Sequence, residues 1–324
     1  MEKRYILGLE TSCDETSAAV VTGEGKILSN IVSSQIPIHQ KFGGVVPEIA
    51  SRNHVMAVEN VVDLAVKQAG IKLADITCVA ATTEPGLPGA VMVGRVFGDS
   101  LATVLGVPFV PTNHIAGHIA SVMVDAEVPD VWLCLVASGG HTSLYRVEQN
   151  GKGWLAKVIC QTVDDACGEA FDKVAKVLGG TYPGGPWISK AAEGYGGELI
   201  RFVASNNLVR GNFSYSGLKT AVLNHVNRAK QLGEDIDVPG LAASFQAEAV
   251  GQLVDICVAE LRKSGAKFLG VAGGVSANKL LRERMTATCA ELGAQVVFPP
   301  MELCGDNGAM IALASILEVD IYGA

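Results

Sequence analysis

The sequence predicts an α/β protein of two lobes, and three observations carry this prediction. The chain has 324 residues, more than a single hydrophobic core usually supports. Segments with strand and helix periodicity alternate along it, which is typical of sheets covered by helices. A unit of strand, polar loop and strand occurs twice, about half a chain apart, which indicates a duplicated architecture.

The repeated unit predicts where a site would form. Its first copy spans residues 5–21 with a polar turn at 10–16, and its second spans 131–147 with a turn at 138–142. In a duplicated fold we expect the two loops to face each other across a cleft. Outside these units, the predicted helices cover residues 46–70, a segment starting near 89, 168–178, 241–263 and 277–292, and the predicted strands cover 78–82 and 268–272.

Composition excludes several classes of protein. Hydrophobic residues make up 49% and charged residues 18%, so a packed core is expected and disorder is not. The longest apolar runs have the length of strands, and no membrane span is expected. No apolar signal sequence follows the first residues, and eight scattered cysteines lack a Cys-x-x-Cys pair, so we expect reduced thiols in a cytoplasmic protein.

Charge is distributed unevenly along the chain. The formal net charge is −8, which argues against a surface that attracts nucleic acid everywhere. Residues 199–233 nevertheless contain no Asp or Glu. A solvated basic face is the commoner explanation of such a stretch, and a binding surface for an anionic partner is the alternative. Its basic residues are Arg201, Arg210, Lys219, Arg228 and Lys230.

Three glycine-rich turns, at residues 138–142, 183–186 and 273–278, are candidates for nucleotide binding. Backbone N–H groups can approach an anion closely where no Cβ intervenes. Each turn alone could be purely structural, but together they favour a nucleotide site because two of them directly follow apolar strands. The chain has neither a P-loop nor a dinucleotide-binding glycine motif, which excludes those two classes.

His114 and His118 are four residues apart, so on a helix both imidazoles lie on one face and could bind one metal ion. A purely structural pair is about equally common. Zinc proteases carry Glu directly after the first His, whereas Ile115 stands there in this chain, so the general base of a protease is missing. Asp306 is a candidate third ligand by residue type alone.

Four carboxylates cluster at Asp164, Asp165, Glu169 and Asp172. Glu169 and Asp172 lie three apart on a predicted helix, so both could face a site. For Asp164 and Asp165 we expect the simpler role of complementing the positive end of that helix.

Taken together, these motifs resemble the TsaD family of tRNA threonylcarbamoyladenosine transferases, which includes the Kae-type proteins. The resemblance extends over essentially the whole chain, with the motifs in the same order. The matching stretches are residues 7–16, 43–52, 114–118, 138–142, 168–173, 182–186, 213–220, 273–278 and 304–310. The chain departs from the family at Ala116, where Glu is common, and at Ser189, where Asp is frequent.

The resemblance implies an actin/hexokinase/Hsp70-like (ASKHA) fold with two lobes around a central cleft. We expect residues 1–112 plus 305–324 to form the N-terminal lobe. Residues 113–304 would form the C-terminal lobe, with the nucleotide-binding loops and a helical insertion.

The resemblance also assigns roles to individual residues. His114, His118 and Asp306 would bind one Fe²⁺ or Zn²⁺ ion. The positions that match adenylate-binding positions are Val136, Ala137, Ser138, Gly139, Gly140, Asp172, Gly185 and Asn278. The candidates for catalytic or supporting roles are Glu10, Ser12, His141 and Glu169, and those for tRNA contacts are Arg201, Arg210 and Lys219.

The implied reaction moves a threonylcarbamoyl group from threonylcarbamoyl-adenylate to the exocyclic amine of adenosine 37, next to the anticodon, in tRNAs that read codons beginning with adenine. AMP leaves. A metal suits acyl transfer because a Lewis acid stabilises negative charge on oxygen. The implied partners are tRNA, an inactive TsaB-like paralogue as heterodimer, and a TsaE-like ATPase, with a homodimer as the alternative and no membrane.

Three other functions compete with this one. A sugar or acetate kinase of the same fold would not need the histidine pair. A metalloprotease would need the missing Glu. A non-catalytic scaffold would be expected to lack the metal ligands, which this chain retains.

Overall fold

A computed structural model of the protein describes residues 4–202 and 211–322. The chain folds into two compact units. Unit 1 comprises Met1–Asp130, Val147–Lys157 and Pro299–Ala324, and unit 2 comprises Val131–Arg146 and Val158–Phe298. This division differs from the predicted lobes at residues 113–130, 147–157 and 299–304, all of which fall in unit 1. For the first of these segments the reason is that the helix His114–Val122 packs against the helix Gly308–Leu317 of unit 1. The lobe assignment stays a prediction.

The strands form two sheets. The strands are β1 (Tyr5–Glu10), β2 (Glu15–Thr22), β3 (Ile27–Ser34), β4 (Cys78–Glu84), β5 (Phe109–Asn113), β6 (Val131–Ala137), β7 (Thr142–Asn150), β8 (Gly153–Gln161), β9 (Phe268–Ala272), β10 (Gln295–Val297) and β11 (Val319–Tyr322). The first sheet, in unit 1, has the order β3-β2-β1-β4-β5, with β4 and β5 parallel to β1. The second has the order β10-β9-β6-β7-β8-β11, and its β6, β9 and β10 are mutually parallel. Parallel strands require covered faces, which explains their continuous apolar runs.

The helices confirm the predicted α/β alternation. They are α1 (Ile36–His39), α2 (Pro47–Gln68), α3 (Pro88–Leu105), α4 (His114–Val122), α5 (Cys167–Val177), α6 (Gly184–Ala191), α7 (Ser216–Leu232), α8 (Val238–Ser264), α9 (Lys279–Glu291) and α10 (Gly308–Leu317). The helix predicted over residues 277–292 begins later, because Gly274–Ala277 forms a 3₁₀ turn. Asn278 then caps α9 by accepting a hydrogen bond from the Leu281 N–H.

Close packing in unit 1 depends on Gly8, Gly117 and Gly308. A Cβ on Gly8 would lie 2.7 Å from the Ala312 nitrogen and would also collide with the Gly308 oxygen. A Cβ on Gly117 of α4 would lie 2.9 Å from Met310. Because none of the three carries a side chain, α10 lies directly on β1 and α4 lies directly on α10. This packing brings the segment before α10 to the face of α4.

The core of unit 2 is built around α8, with Phe171 of α5 and Phe245 of α8 in edge-to-face contact at 5.0 Å. By length and composition alone, α8 could cross a membrane. However, 67% of its apolar window is buried inside the structure. This burial is the pattern of a core helix, and its apolar residues serve the core.

Candidate metal centre and nucleotide site

His114 and His118 of α4 and Asp306, which precedes α10, converge in unit 1. Their candidate ligand atoms all lie within 4.8 Å of one another. The Asp306 Oδ1 atom lies 3.3 Å from His118 Nε2 and 3.6 Å from His114 Nε2, and the two rings are 4.7 Å apart in an edge-to-face arrangement. Asn113 fixes where α4 starts, because its side chain accepts hydrogen bonds from the first free N–H groups of the helix.

The residues present fit a metal ion. His118 is fully buried, and within residues 4–202 and 211–322 neither of its ring nitrogens makes a hydrogen bond. Its approach to Asp306 lacks hydrogen-bond geometry. A buried polar group left unpaired costs about 1–3 kcal/mol, so such groups normally have a partner. Two imidazoles and a carboxylate are a donor set that suits zinc or ferrous iron.

Glu10 orients His114 by contacting its Nδ1 atom. This fully buried carboxylate lies 2.9 Å from His114 Nδ1 and accepts hydrogen bonds from Thr82 Oγ1 at 2.6 Å and from the Ser12 N–H. Burial raises the pKa of Glu10, but the imidazole of His114 and these bonds hold it below its usual value. Burial lowers the pKa of His114, yet Glu10 and Asp306 raise it to about 9. A protonated Nδ1 held by Glu10 leaves Nε2 as the ligand atom.

Substituting Glu10→Gln should lower metal affinity about 10- to 100-fold, because carboxylates behind metal-binding histidines tune their basicity and orientation to about this extent. Chelator competition on the purified protein measures this change, with the exposed Glu24→Gln variant as the control for lost charge. Equal metal affinity of Glu10→Gln and Glu24→Gln would show that Glu10 has no such role.

A buried chain of hydrogen bonds braces the loop after β1, and its residues are not among the predicted candidates. The Val46 N–H donates to His39 Nδ1 at 3.2 Å, and His39 Nε2 donates to Gln35 Oε1 at 3.2 Å. Gln35 Nε2 donates to His54 Nδ1 at 3.3 Å, and His54 Nε2 donates to the Cys13 carbonyl at 2.9 Å. Burial lowers the pKa of His54, which favours the neutral ring that this order requires. No spacing in the sequence signals contacts of this kind.

The loop braced in this way carries Ser12. This buried residue places its Oγ 3.2 Å from Nδ1 of His114. The structure thus brings both unit 1 candidates for supporting roles, Glu10 and Ser12, against one metal-site histidine.

In unit 2, the turn after β6 leaves room for a ligand at its backbone. The Ser138 N–H donates to the His141 carbonyl at 2.8 Å, which closes the turn. A Cβ at Gly139 or Gly140 would meet nothing within 4 Å. By contrast, a Cβ at Gly168 would lie 2.6 Å from the Ser138 oxygen, so the start of α5 packs against the turn. This arrangement exposes backbone N–H groups next to a helix N-terminus, where anions bind readily.

Two other predicted adenylate-binding residues, Asp172 and Gly185, lie at or next to the start of α6. Asp172 Oδ1 accepts a hydrogen bond from the Gly184 N–H at 2.6 Å, which fixes the start of α6, and the Cβ position of Gly185 is open. Gly273 has a φ of +85°, and a Cβ there would lie 2.7 Å from the carbonyl carbon of Ala137, the last residue of β6. The ends of β6 and β9, with the starts of α5 and α6, therefore form one neighbourhood within unit 2.

Comparison with known proteins decides the family. The sequence profile of the TsaD family, tRNA N6-adenosine threonylcarbamoyltransferase, matches residues 26–313. The chain belongs to this family. A relative of that name from Clostridium perfringens is 44% identical, over 98% of this chain and 94% of its own length. Another of the same name, from Geobacillus thermodenitrificans, is 47% identical over 97% of this chain and 91% of its own length.

Solved structures confirm the actin/hexokinase/Hsp70-like fold. The activator of the 2-hydroxyisocaproyl-CoA dehydratase from Clostridium difficile, with bound ADPNP, matches with a TM-score of 0.56 at 13% identity over 97% of this chain and 95% of its own. A ROK family glucokinase from Streptomyces griseus matches with a TM-score of 0.51 at 14% identity, over 96% of this chain and 98% of its own. HypF from T. kodakarensis matches with a TM-score of 0.59 at 12% identity, over 98% of this chain. The chain spans about half of the HypF chains, 46% and 48%.

Two acids of this TsaD family member have roles that differ from the predicted one. Asp164 accepts hydrogen bonds from Ser214, Tyr215 and Ser216, at 2.6 to 3.2 Å, and so caps α7 rather than α5. Burial raises its pKa, but these bonds hold it below the usual value. The prediction failed because it considered only the nearest helix in sequence, whereas the N–H groups that need a partner are about fifty residues away.

Several other candidates are engaged in ion pairs. Asp165, the second of these acids, lies 2.6 Å from the Lys219 ammonium and 2.9 Å from that of Lys173, so Lys219 is not a free cation. Glu169 pairs with Lys173 at 2.8 Å on the surface of α5. Arg201 is exposed. Arg210 lies outside the described residues.

Proposed function

We propose that this protein transfers the threonylcarbamoyl group from threonylcarbamoyl-adenylate to the exocyclic amine of adenosine 37 of tRNAs that read codons beginning with adenine, releasing AMP. Membership of the TsaD family makes it an enzyme of tRNA threonylcarbamoyladenosine modification. The observation that carries the finer proposal is the buried His118, whose ring nitrogens make no hydrogen bond among the described residues, within the His114, His118 and Asp306 cluster. The kinase alternative explains none of these features.

In this proposal, unit 2 binds the adenylate. The open backbone at Gly139 and Gly140 would accept the phosphate, and Asp172 would contact the ribose. The attacking amine nitrogen forms a bond to the carbamoyl carbon, the bond from that carbon to the phosphate oxygen breaks, and AMP departs with the electron pair while the amine loses a proton.

The donor set supports metal dependence as part of this proposal. His114, His118 and Asp306 would hold one Fe²⁺ or Zn²⁺ ion, with Glu10 fixing the orientation of His114. The ion would supply Lewis-acid stabilisation of negative charge on oxygen. Retention of all three ligands supports an enzyme rather than a scaffold.

The proposed setting is the cytoplasm, away from membranes. Besides tRNA, the proposed partners are a TsaB-like paralogue in a heterodimer and a TsaE-like ATPase, and a homodimer is the alternative. These assignments rest on family membership.

Reconstitution tests the proposed function. Purified protein, with iron or zinc and with the partner proteins, is incubated with threonylcarbamoyl-adenylate and a tRNA transcript, and the digested nucleosides are analysed by mass spectrometry. We expect threonylcarbamoyladenosine, and none from a transcript with guanosine at position 37. Absence of the product from the adenosine transcript would refute the proposal, and ADP formation from ATP with glucose or acetate would favour the kinase.

The tRNA contacts proposed at Arg201, Arg210 and Lys219 predict that individual substitutions change the salt dependence of tRNA binding to different extents. An Arg201→Ser variant should reduce the slope of log affinity against log salt by about 0.7 to 0.9, the value for one lost phosphate contact. Lys219→Ser should change the slope less, because Asp165 already pairs with that ammonium. Filter binding over a range of salt concentrations measures both, with the exposed Lys26→Ser as control. An Arg201→Ser slope equal to the control would place the docking surface elsewhere.

A further inference from the structure

A cavity of about 350 Å³ in unit 2 lies among α6, α8 and the start of α9. Ser189 of α6 and Gln246 of α8 line it, and its other lining residues are the small or apolar Ala192, Gly194 and Leu280 and the charged Lys190, Glu193, Lys279 and Glu283. Ser189 and Gln246 also bond to Asn278, a predicted adenylate-binding residue. The cavity therefore adjoins the nucleotide site through a polar network.

Hydrogen bonds fix the orientation of the Asn278 amide. Its Oδ1 accepts from the Leu281 N–H at 3.1 Å, as the cap of α9. Its Nδ2 therefore faces the other way and donates to Ser189 Oγ at 3.2 Å and to Gln246 Oε1 at 3.0 Å. An amide nitrogen has two hydrogens, so both donors of Asn278 are used within the protein.

The same network fixes Gln246. Because Asn278 presents a donor, Gln246 must turn its Oε1 towards it, and this oxygen also accepts from Ser189 Oγ at 2.7 Å. The opposite atom, Nε2, donates to no group among the residues that the structure describes. Gln246 is only 9% exposed, yet its Nε2 atom remains accessible to solvent. Gln246 therefore lines the cavity and has an accessible amide nitrogen whose hydrogens are unused among the described residues.

The position of the cavity on α6 suits a base. Asp172, the proposed ribose contact, bonds to Gly184 at the start of α6, and Ser189 lies five residues further along. Five residues of helix span about 7.5 Å, which approximates the distance from the ribose to the far edge of a purine. Of a purine held in this way, the edge that carries N1 would enter the cavity furthest.

We propose that Gln246 is a specificity-determining residue for the adenine nucleotide: its Nε2 N–H donates to adenine N1, while Asn278 is a positioning residue that holds Gln246. This inference rests on the proposed function, which supplies the adenylate. Adenine N1 is an acceptor, whereas the N1–H of hypoxanthine is a donor and would face the Gln246 donor. Sites built to hydrogen-bond one group discriminate strongly against an analogue that leaves their polar groups unpaired.

Calorimetric titration with AMP and IMP tests the proposal. The wild-type protein should bind AMP at least about 10-fold more tightly than IMP, the equivalent of one hydrogen bond of roughly 1.4 kcal/mol. Gln246→Glu, which keeps the oxygen that accepts from Ser189 and Asn278 but removes the donor, should weaken AMP binding about 10-fold and reverse the preference. Gln246→Met, which adds no charge, should bring the ratio of the two affinities near one.

Two controls separate this role from a structural one. Gln231→Glu, exposed on α7, introduces the same charge and should keep the wild-type ratio. Metal content, set by unit 1, should be equal in all variants. A wild-type protein without preference for AMP, or an unchanged ratio in both Gln246 variants, would overturn the role of Gln246 alone. A wild-type protein that binds no AMP would overturn the adenylate of the proposed function as well.

Discussion

Replacing His118 by alanine is expected to abolish stoichiometric metal binding and to reduce threonylcarbamoyl transfer about a thousandfold, while the fold persists. His118 supplies one of three candidate ligands, and its ring makes no hydrogen bond within the described residues whose loss would destabilise the protein. A Lewis acid supplies several kcal/mol of charge stabilisation, which corresponds to a rate effect of about this size. Elemental analysis after dialysis gives the metal content, and circular dichroism reports the fold.

The control for His118→Ala is His225→Ala, since His225 is exposed on α7 and belongs to no group of three candidate ligands among the described residues. It should keep wild-type metal content and activity. Removal of metal from the wild-type protein by a chelator should reproduce the loss of activity, and added metal should restore it. Wild-type metal content in His118→Ala would contradict the assignment of the ligand.

Gly8→Ala should destabilise the protein by about 3 kcal/mol, at the upper end of the usual cost of overpacking a core. The added methyl group would collide with the backbone of α10, at the Gly308 oxygen and 2.7 Å from the Ala312 nitrogen, and backbone atoms cannot rotate away. The forced shift of α10 should also move Asp306, so weaker metal binding is expected. Denaturant unfolding and chelator competition measure the two effects.

Gly196→Ala provides the matched control, because a Cβ at Gly196 would meet no atom within 4 Å and the residue has no positive φ. Its free energy of unfolding should remain within about 0.5 kcal/mol of the wild-type value. If Gly8→Ala were equally stable, α10 would not lie directly on β1 as the structure has it.

The sequence predicted those parts of the site that depend on neighbours along the chain. The pair His114 and His118 follows from helical spacing, and the turns at residues 138–142 and 273–278 follow from glycine placed after apolar strands. Each is a local property, since helix and strand periods set which side chains share a face. Asp306 could be proposed by residue type alone, because nothing in its own segment indicates α4.

Contacts between distant segments could not be read in this way. Lys219 was predicted to meet tRNA from the charge of its segment, yet Asp165 pairs with it. Gln246 lies on the buried face of a helix and gave no signal, although it lines a cavity. Pairing and orientation depend on which atoms the fold brings within hydrogen-bond distance, and charge or residue type does not reveal that.

By itself, the sequence determined the α/β class, the order of the elements, the histidine pair, the glycine turns and, through its motifs, the family. These are fixed by periodicity, turn chemistry and motif order, all of which are local or additive along the chain. Only the tertiary structure decided that Glu10 contacts Nδ1 of His114, that Asp164 caps α7 and that both amide hydrogens of Asn278 are used in bonds within the protein. The physical reason is that hydrogen bonds act over about 3 Å, and in these cases the fold alone sets which distant residues come that close.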